Sequence, residues 1–202
     1  MKQKIIIIDT GAANIHSVEK AFKFIGANVE ITKDPTVIKK SDAIVFPGVG
    51  AFASVMEGVK KNNLDKPIKQ CIEANKPFLG ICVGMQALFE ESEEFGNSKG
   101  LGILKGKVVR FKKAKTIPHV GWNKVTFVGE DNYPRLHNAE FYFVHSYYVI
   151  PEDKSIILGE TEYEGEKFTS MIKKDNLFAV QFHPEKSGEA GLELLRKFIK
   201  EL

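Results

Sequence analysis

The stretch Lys76-Pro77-Phe78-Leu79-Gly80-Ile81-Cys82-Val83-Gly84 leads from an apolar run into a tight glycine turn. A helix-like segment from Met85 to Phe89 follows it. Strand, glycine turn and helix in this order form the setting in which a nucleophile is presented at a sharp elbow. The flanking glycines leave room where Cβ atoms would clash, and glycine tolerates the backbone angles of such a turn. The pattern predicts that Cys82 is a nucleophile, although a core-filling cysteine fits G-x-C-x-G alone equally well.

The two cysteines have different local sequences. Cys82 would lie at the N-terminus of the helix that follows it, where the helix dipole and unpaired N–H groups favour a thiolate. Cys71 lies in a helix-like pattern from Ile68 to Ala74 without a glycine turn, and it is predicted to be structural. Two cysteines in such different settings do not predict a disulfide.

A candidate partner for Cys82 lies about a hundred residues downstream. The segment Leu177–Phe182 is typical of a strand, and His183-Pro184-Glu185 follows it. Side chains two apart on an extended segment point the same way, and Pro184 would keep this stretch out of a helix. Glu185 is therefore predicted to orient His183 and to favour its protonated form, as in a triad. The alternative is a strand-end histidine that only caps a loop.

Composition limits the classes of protein to consider. A length of 202 residues predicts a single domain over residues 1–202, and 43% hydrophobic with 10% aromatic residues can build a sizeable core. The net charge of +3, from 29 basic and 26 acidic residues, does not indicate nucleic-acid binding. The aliphatic run Ile5–Ile8 is too short to span a bilayer, and because a strand is predicted almost at the first residue we expect no signal peptide. A cytoplasmic location is the expectation.

The first half of the chain alternates predicted strands with predicted helices, which indicates parallel βαβ units. The predicted strands are Lys4–Asp9, Asn28–Ile31, Asp42–Phe46 and the run that enters Cys82. A turn at Gly11-Ala12-Ala13-Asn14 is predicted to lead into a helix through about Ile25, and the next predicted helices are Ala51–Lys60 and Leu64–Ala74.

After about Gly106 the pattern changes to short strands joined by turns, mostly as hairpins. These predicted strands are Lys107–Phe111, Lys124–Val128, Phe141–Val149, Ser155–Glu162 and Lys167–Ile172, and a helix over Gly188–Leu202 follows. The fold class predicted is therefore α/β, with a mostly parallel central sheet flanked by helices and an added antiparallel region in the C-terminal half. The basic cluster Lys105, Lys107, Arg110, Lys112, Lys113 and Lys115 is interpreted as a solvated strand face and loop, with docking as the alternative.

A second glycine-rich loop, Pro47-Gly48-Val49-Gly50, follows the predicted third strand. Active sites of open parallel sheets lie at the carboxyl ends of strands, so this loop would face Cys82 if the two strands are neighbours. Its backbone N–H groups could then hold an oxyanion. The loop lacks the Lys-Ser/Thr of a P-loop, which disfavours nucleotide phosphate binding, but an ordinary strand-to-helix turn is an alternative.

These motifs together resemble the class I (triad) glutamine amidotransferases. The resemblance covers nearly the whole chain, and the stretches that carry it are Pro47–Gly50, Gly80–Gln86 and Gln181–Glu185. It implies hydrolysis of the glutamine side-chain amide by Cys82, His183 and Glu185. It implies no cofactor and no metal.

The resemblance also implies roles for further residues. The oxyanion would be held by backbone at Val49, Gly50 and Val83. Glutamine would be bound by Gly48, Gly50, Gln86, Glu94, Ser146 and Tyr147. Gln86 follows Cys82 by four residues and so shares its helix face, although a solvent-exposed helix glutamine is the alternative.

Within this family the resemblance is closer to a branch that supplies ammonia to a partner, through the stretches Leu88–Glu94, Lys99–Gly102, Pro118–Asn123, Phe141–Tyr147 and Thr161–Tyr163. It implies a heterodimer with a cyclase (βα)₈-barrel subunit of histidine biosynthesis, which forms imidazole glycerol phosphate and an aminoimidazole carboxamide ribotide. The candidate interface residues are Pro118, His119, Trp122, Asn123, Tyr142, His145 and Lys186. Trp122, the only tryptophan, could equally fill the core.

Members of this branch are nearly silent without the partner, and the Gly48–Gly50 backbone could be turned away until the partner binds. Other functions stay open at this stage. They are an amidotransferase for purine, pyrimidine, aminobenzoate or glycan synthesis, a non-catalytic regulatory partner, and a cysteine hydrolase or stress-response protein of related fold.

Overall fold

The computed structural model describes residues 3–11, 14–128 and 136–200. The predicted turn through Ala12 and Ala13 and the predicted end of the last helix at Leu202 lie outside the described residues.

The first half of the chain builds a parallel sheet with helices between its strands. Its elements are β1 (Lys4–Ile8), α1 (Ile15–Phe24), β2 (Asn28–Thr32), α2 (Pro35–Lys39), β3 (Ala43–Gly48), α3 (Phe52–Lys61), α4 (Asp65–Glu73), β4 (Phe78–Cys82) and α5 (Val83–Gln86). The strands β2, β1, β3 and β4 lie side by side in that order, all parallel. The side chains of Ile5, Ile6, Ile7 and Ile8 are buried, as expected for a strand covered on both faces.

The second half extends this sheet with antiparallel strands. Its elements are β5 (Glu91–Ser92), β6 (Ser98–Lys99), β7 (Gly106–Arg110), β8 (His119–Lys124), β9 (Thr126–Phe127), β10 (Glu140–His145), β11 (Tyr147–Pro151), β12 (Ile157–Tyr163), β13 (Glu166–Lys174), β14 (Leu177–Val180) and α6 (Gly188–Lys200). Strand β14 pairs with β4 in parallel and with β13 in antiparallel orientation, so it joins the two halves. The predicted fold class is confirmed.

Two strand predictions differ from the structure. The predicted strand Phe141–Val149 is two strands, because the chain leaves β10 at Ser146 and enters β11, which pairs with β7 in the main sheet. Aromatic and β-branched residues continue across this change of partner, so their strand propensity hides it. The predicted strand at Lys124–Val128 is the short β9, and the strand β8 before it was not predicted.

Strands β8 and β10 form a separate two-stranded antiparallel unit, here called the ribbon. Its register places Trp122 opposite Tyr142 and Val120 opposite Val144, and these side chains share its outer face because alternate residues of a strand point the same way. On the inner face, His119 lies opposite His145. The ribbon therefore has an exposed outer face and a buried inner face.

Within the described ranges, none of the helices combines the length and the apolar character needed to cross a lipid bilayer.

Candidate active site

The turn at Cys82 is a strained elbow between β4 and α5. Cys82 has φ 54° and ψ −112°, a combination that non-glycine residues rarely adopt. A Cβ atom on Gly84 would lie 1.8 Å from the carbonyl oxygen of Phe46, and one on Gly80 would lie 3.0 Å from the Cβ of Ala179. The glycines are therefore required by close packing of the elbow against the neighbouring strands, as the G-x-C-x-G pattern predicts.

The oxyanion loop predicted at Pro47–Gly50 lies beside this elbow. In the register of β3 and β4, Gly48 pairs with Cys82, so the ends of the two strands coincide. A Cβ atom on Gly48 would lie 3.0 Å from the backbone nitrogen of Gly84, which shows how closely the loop and the elbow pack. Gly50 has φ +83° and open space around its Cα, so it is free to differ in conformation from the packed Gly48.

His183 and Glu185 form a buried pair next to Cys82. The Nδ1 atom of His183 lies 2.8 Å from Oε1 of Glu185, and both side chains are 1% exposed. The predicted extended conformation is wrong, because residues Pro184–Lys186 form a 3₁₀ turn. Proline fits the first position of such a turn, where its missing N–H leaves no bond unmade. The contact between the two side chains was nevertheless predicted from their spacing.

The charge state of His183 is set by its neighbours. Burial alone would lower the pKa of the imidazole, but the Cys82 thiolate and the Glu185 carboxylate outweigh burial and raise the pKa. The Nε2 atom of His183 makes no hydrogen bond among the described residues, and Cys82 raises the pKa of the imidazole chiefly through its charge. An imidazolium with a free N–H beside a thiolate can deliver a proton to a leaving group.

Two buried glutamines connect Cys82 to the strand that follows the ribbon. The Nε2 atom of Gln181 lies 3.6 Å from the Cys82 sulfur. The Nε2 atom of Gln86 donates to Oε1 of Gln181 at 3.1 Å and to the carbonyl oxygen of Tyr147 at 3.0 Å. Gln86 is 3% exposed, so the alternative of a solvent-exposed helix glutamine is wrong.

Glu94, the charged residue predicted to bind glutamine, contacts the helix after the oxyanion loop. Its Oε2 atom accepts a hydrogen bond of 2.6 Å from the backbone nitrogen of Phe52, the first residue of α3. The residue before this helix, Ala51, has no side chain that could cap it. Glu94 therefore caps α3 from outside the helix and ties β5 to the oxyanion loop.

A cavity of about 430 Å³ collects most of the predicted site residues. It is lined by Asn14, Val49, Gly50, Cys82, Val83, Gln86, Glu94, Pro118, Val144, His145, Ser146, Tyr147, His183 and Lys186. Asn14 and Val144 were not predicted. Asn14 follows the carboxyl end of β1, and its place at the active edge of the sheet was a signal that could have found it. Gly48, the last residue of β3, does not line the cavity.

The residues predicted for a partner interface fall into two groups. Trp122 is 54% exposed on the outer face of the ribbon, where its ring packs edge-on against Tyr142, so a role in the core is wrong for it. The Nζ atom of Lys186 lies over the Tyr142 ring, 5.8 Å from its centre. His119 and His145 are buried on the inner face, away from Trp122 and Tyr142, and His145 also lines the cavity. Their assignment to the interface stays a prediction.

The structure agrees with a structural role for Cys71. This thiol is 3% exposed, lies 3.6 Å from the carbonyl oxygen of Ile38, and has its pKa raised by burial. Across residues 3–11, 14–128 and 136–200, no group of three or more His, Cys, Asp or Glu side chains is arranged to hold a metal ion.

Solved structures share this fold. The structure of PurLQS from Thermotoga maritima superposes with a TM-score of 0.79 at 16% identity, covering 100% of this chain and 99% of that chain. A crystal structure described as a glutamine amidotransferase gives a TM-score of 0.76 at 15% identity, covering 96% of this chain and 97% of that chain.

Curated relatives are much closer in sequence, and all three considered are described as imidazole glycerol phosphate synthase subunit HisH. The protein from Acinetobacter baylyi is 46% identical, covering 98% of this chain and 98% of the relative. The protein from Aquifex aeolicus is 47% identical (96% and 95% covered), and that from Pyrococcus furiosus is 49% identical (96% and 97% covered).

The model of the family described as glutamine amidotransferase class-I matches residues 6–202. This match includes Cys82, His183, Glu185 and all the residues that line the cavity. The resemblance inferred from the motifs is therefore confirmed. The chain belongs to the class I glutamine amidotransferases and, within them, to the family of imidazole glycerol phosphate synthase HisH subunits.

Proposed function

We propose that this chain hydrolyses the side-chain amide of glutamine through a thioester on Cys82 and passes the ammonia to a cyclase (βα)₈-barrel subunit. The observation that carries this proposal is the convergence of Cys82, His183 and Glu185 at the ends of the adjacent parallel strands β4 and β14. The strained elbow and the buried carboxylate are features that a non-catalytic regulatory partner would not need.

The first half of the reaction is acylation. The Cys82 thiolate attacks the amide carbonyl carbon, and the oxyanion is held by the Val83 N–H and by N–H groups at Val49 and Gly50. His183 donates its Nε2 proton to the amide nitrogen as the C–N bond breaks, so that ammonia leaves and a glutamyl thioester remains. Glu185 holds the imidazole through Nδ1.

The second half is hydrolysis of the thioester. The now neutral His183 takes a proton from water, which attacks the thioester carbonyl, and the C–S bond breaks. Glutamate leaves and the thiolate–imidazolium pair is restored. Removal of one oxyanion donor typically costs about 10²–10³ in rate. The close packing of Gly48 against the elbow places this loop beside Cys82, which supports its role as an oxyanion donor.

Glutamine would enter the cavity with its amide toward Cys82. Glu94 would bind the α-ammonium group, because it is the carboxylate that lines the cavity alongside Gln86, Ser146 and Tyr147. Gln86 donates from its amide nitrogen to the protein, which leaves its Oε1 atom available to the substrate.

The partner would bind the outer face of the ribbon. Exposed apolar side chains at Val120, Trp122 and Val144 lie together there, and Val144 also lines the cavity. Tryptophan and tyrosine are enriched among residues that dominate interface energies. The names of the HisH relatives describe subunits of a synthase, which supports a partner of this kind.

The test follows nitrogen from glutamine into product. The chain, its co-purified barrel cyclase and the ribonucleotide substrate are supplied with amide-¹⁵N glutamine in the presence of unlabelled ammonium. We expect the imidazole product to carry the ¹⁵N label, and the Cys82→Ala variant to incorporate only unlabelled nitrogen.

Two results would contradict the proposal. Unlabelled imidazole product from the wild-type complex would exclude transfer between the subunits. Cys82-dependent glutamate release without stimulation or labelling by the cyclase would assign the chain to another ammonia-requiring pathway.

A further inference from the structure

The inner face of the ribbon carries a pair of buried histidines that the proposed chemistry does not use. His119 and His145 lie opposite each other on β8 and β10 and are 2% and 5% exposed. The ring of His119 is stacked between Phe143, with centroids 4.9 Å apart, and Tyr163, with centroids 4.0 Å apart. Buried polar groups are retained where their hydrogen bonds are satisfied, so the bonds of this pair define what it does.

The hydrogen bond between His145 and the carbonyl oxygen of Tyr147 determines which ring nitrogens of the pair donate and which accept. The Nδ1 atom of His145 lies 2.8 Å from the carbonyl oxygen of Tyr147, and a carbonyl oxygen can only accept. His145 therefore carries its proton on Nδ1, and in the neutral ring its Nε2 atom must accept. The atom 3.1 Å from that Nε2 is Nδ1 of His119, which must donate.

The same reasoning adds one more hydrogen bond, between Asn123 and His119, to this series. With the proton of His119 on Nδ1, its Nε2 atom accepts, and the side-chain nitrogen of Asn123 lies 3.4 Å away. The amide of Asn123 is oriented by its other bonds, since Nδ2 donates to the carbonyl oxygen of Glu162 and Oδ1 accepts from the nitrogen of Lys124. One continuous direction of donation therefore runs from Asn123 through both histidines to Tyr147.

This arrangement requires both rings to be neutral, and burial makes them so. Burial lowers the pKa of His119 to about 4. Burial also lowers the pKa of His145 to about 3, against the hydrogen bond to Tyr147, and the charges of His119 and His183 lower it further. At neutral pH a single arrangement of protons is thus fixed.

The chain of hydrogen bonds ends at Tyr147, a residue that lines the cavity. The carbonyl oxygen of Tyr147 accepts from both His145 and Gln86, and Gln86 in turn bonds Gln181, whose amide faces the Cys82 sulfur. Ser146, the residue between His145 and Tyr147, lies where the chain passes from the ribbon to the main sheet. The bond from His145 therefore fixes the backbone at a change of sheet that also lines the cavity.

We propose that the His119–His145 pair is a positioning unit that holds the Tyr147 carbonyl, and through it Gln86 and the Ser146–Tyr147 backbone, in the geometry that binds glutamine. This proposal rests on the proposed function of the cavity. The pair does not touch the reacting atoms, so its loss should weaken glutamine binding more than the chemical step.

The competing explanation is that the histidines only fill the core, and two substitutions separate the two explanations. His145→Phe keeps an aromatic ring among Phe111, Phe143 and Phe168 but removes the donor. His145→Asn is smaller, yet its Nδ2 can take the place of Nδ1 and donate to Tyr147. If the histidines only fill the core, the Phe variant should bind glutamine at least as well as the Asn variant. If they position the Tyr147 carbonyl, the Asn variant should bind glutamine better.

The measurement is made on the full chain with its cyclase partner. We expect the glutamine KM to stay within about threefold of wild type in His145→Asn and to rise about tenfold or more in His145→Phe, because the Phe variant removes the His145 donor that fixes the Tyr147 carbonyl, which Gln86 alone does not orient in the same way. We expect kcat to change less than KM in both variants. An equal KM in the two variants, or a higher KM in the Asn variant, would overturn the proposal.

Two further readouts do not depend on turnover. Two-bond ¹H–¹⁵N spectra of the wild-type chain should show His119 and His145 as neutral rings protonated on Nδ1, and any other form of His145 would also overturn the proposal. Calorimetric binding of glutamine to the same His145 variants in a Cys82→Ser background should follow the order predicted for KM. If the Cys82→Ser proteins bind glutamine in that order but the chain with Cys82 intact shows no turnover, the proposed function fails and the positioning unit stands.

Discussion

A Cβ atom on Gly84 would lie 1.8 Å from the carbonyl oxygen of Phe46, so the elbow that carries Cys82 is locked against β3. No real Cβ approaches a backbone oxygen so closely, and neither a Cβ nor a carbonyl oxygen can move away unless the backbone moves. The position of the Cys82 nucleophile therefore depends on the absence of a Cβ atom at Gly84. It also places the elbow in contact with the strand that leads into the oxyanion loop.

Replacement of Gly84 by alanine should move the elbow and destabilise the chain. Forcing a methyl group into a closely packed region typically costs about 1–3 kcal/mol, and a backbone clash should reach the upper end of that range. We expect a fall of about 3 kcal/mol in the free energy of unfolding by urea, together with loss of glutamine hydrolysis. Cys71→Ala, a buried substitution outside the site, should leave hydrolysis unchanged. Normal activity in Gly84→Ala would contradict the packing account.

The backbone strain at Cys82 can be measured by comparing two inactive variants. Cys82→Ala and Cys82→Gly both remove the thiol, but only glycine accepts φ 54° and ψ −112° without strain. Strained residues of this kind cost about 1–3 kcal/mol. We expect Cys82→Gly to be more stable than Cys82→Ala by about 1 kcal/mol in urea unfolding, although glycine usually destabilises. If the alanine variant is the more stable, the elbow is not strained.

Acid should weaken the fold through the buried histidines. Their pKa values are lowered to about 4 and about 3 in the folded chain, against about 6.5 when unfolded. Between these values the unfolded chain binds protons that the folded chain does not, so stability falls as pH falls. We expect the two histidines together to remove about 3 kcal/mol between pH ~6.5 and ~5.

The control for this prediction is a pair of chains in the Cys82→Ala background, which removes the influence of the thiolate on His183. Urea unfolding is measured across the same pH range with and without His119→Phe. Loss of one titrating group should remove about half of the pH dependence. An unchanged pH dependence would mean that His119 is not held neutral by burial.

Trp122 should matter to the complex and not to the chain alone. It is 54% exposed on the outer face of the ribbon, so truncation leaves no cavity in the core. We expect Trp122→Ala to change the free energy of unfolding by less than about 0.5 kcal/mol but to weaken cyclase binding by about 2 kcal/mol or more. Phe24→Ala is the control, because Phe24 is an exposed aromatic side chain outside the ribbon, 74% exposed at the C-terminal end of α1, and should leave binding unchanged. Equal effects of the two variants would argue against the ribbon as the interface.

The local patterns predicted the elbow and the His183–Glu185 contact because each depends on a few residues close together in the chain. The basic cluster shows where this fails. Its lysines are exposed, as predicted, but the path of their backbone is held by Glu166, which accepts from the nitrogens of Lys112 and Lys113, and by Glu164, which accepts from the nitrogen of Thr116. Carboxylates about fifty residues away leave no mark in the local sequence.

The change of partner at Ser146 was hidden for the same reason. Strand propensity reports how well a residue suits an extended chain, whereas the choice between the ribbon and the main sheet depends on which strand lies alongside. The hydrogen-bond chain through His119 and His145 depends on the register of β8 and β10. Only the fold supplies that register.

The most direct test of the central claim is detection of the thioester on Cys82. Wild-type chain in complex with its cyclase is mixed with glutamine, quenched in acid within the first turnovers, and digested for mass spectrometry. We predict that the peptide containing Cys82 gains the mass of one glutamyl group, that the peptide containing Cys71 gains none, and that Cys82→Ala abolishes the adduct. Two results would contradict the account: steady release of glutamate with no glutamyl adduct on Cys82, and undiminished release of glutamate by Cys82→Ala.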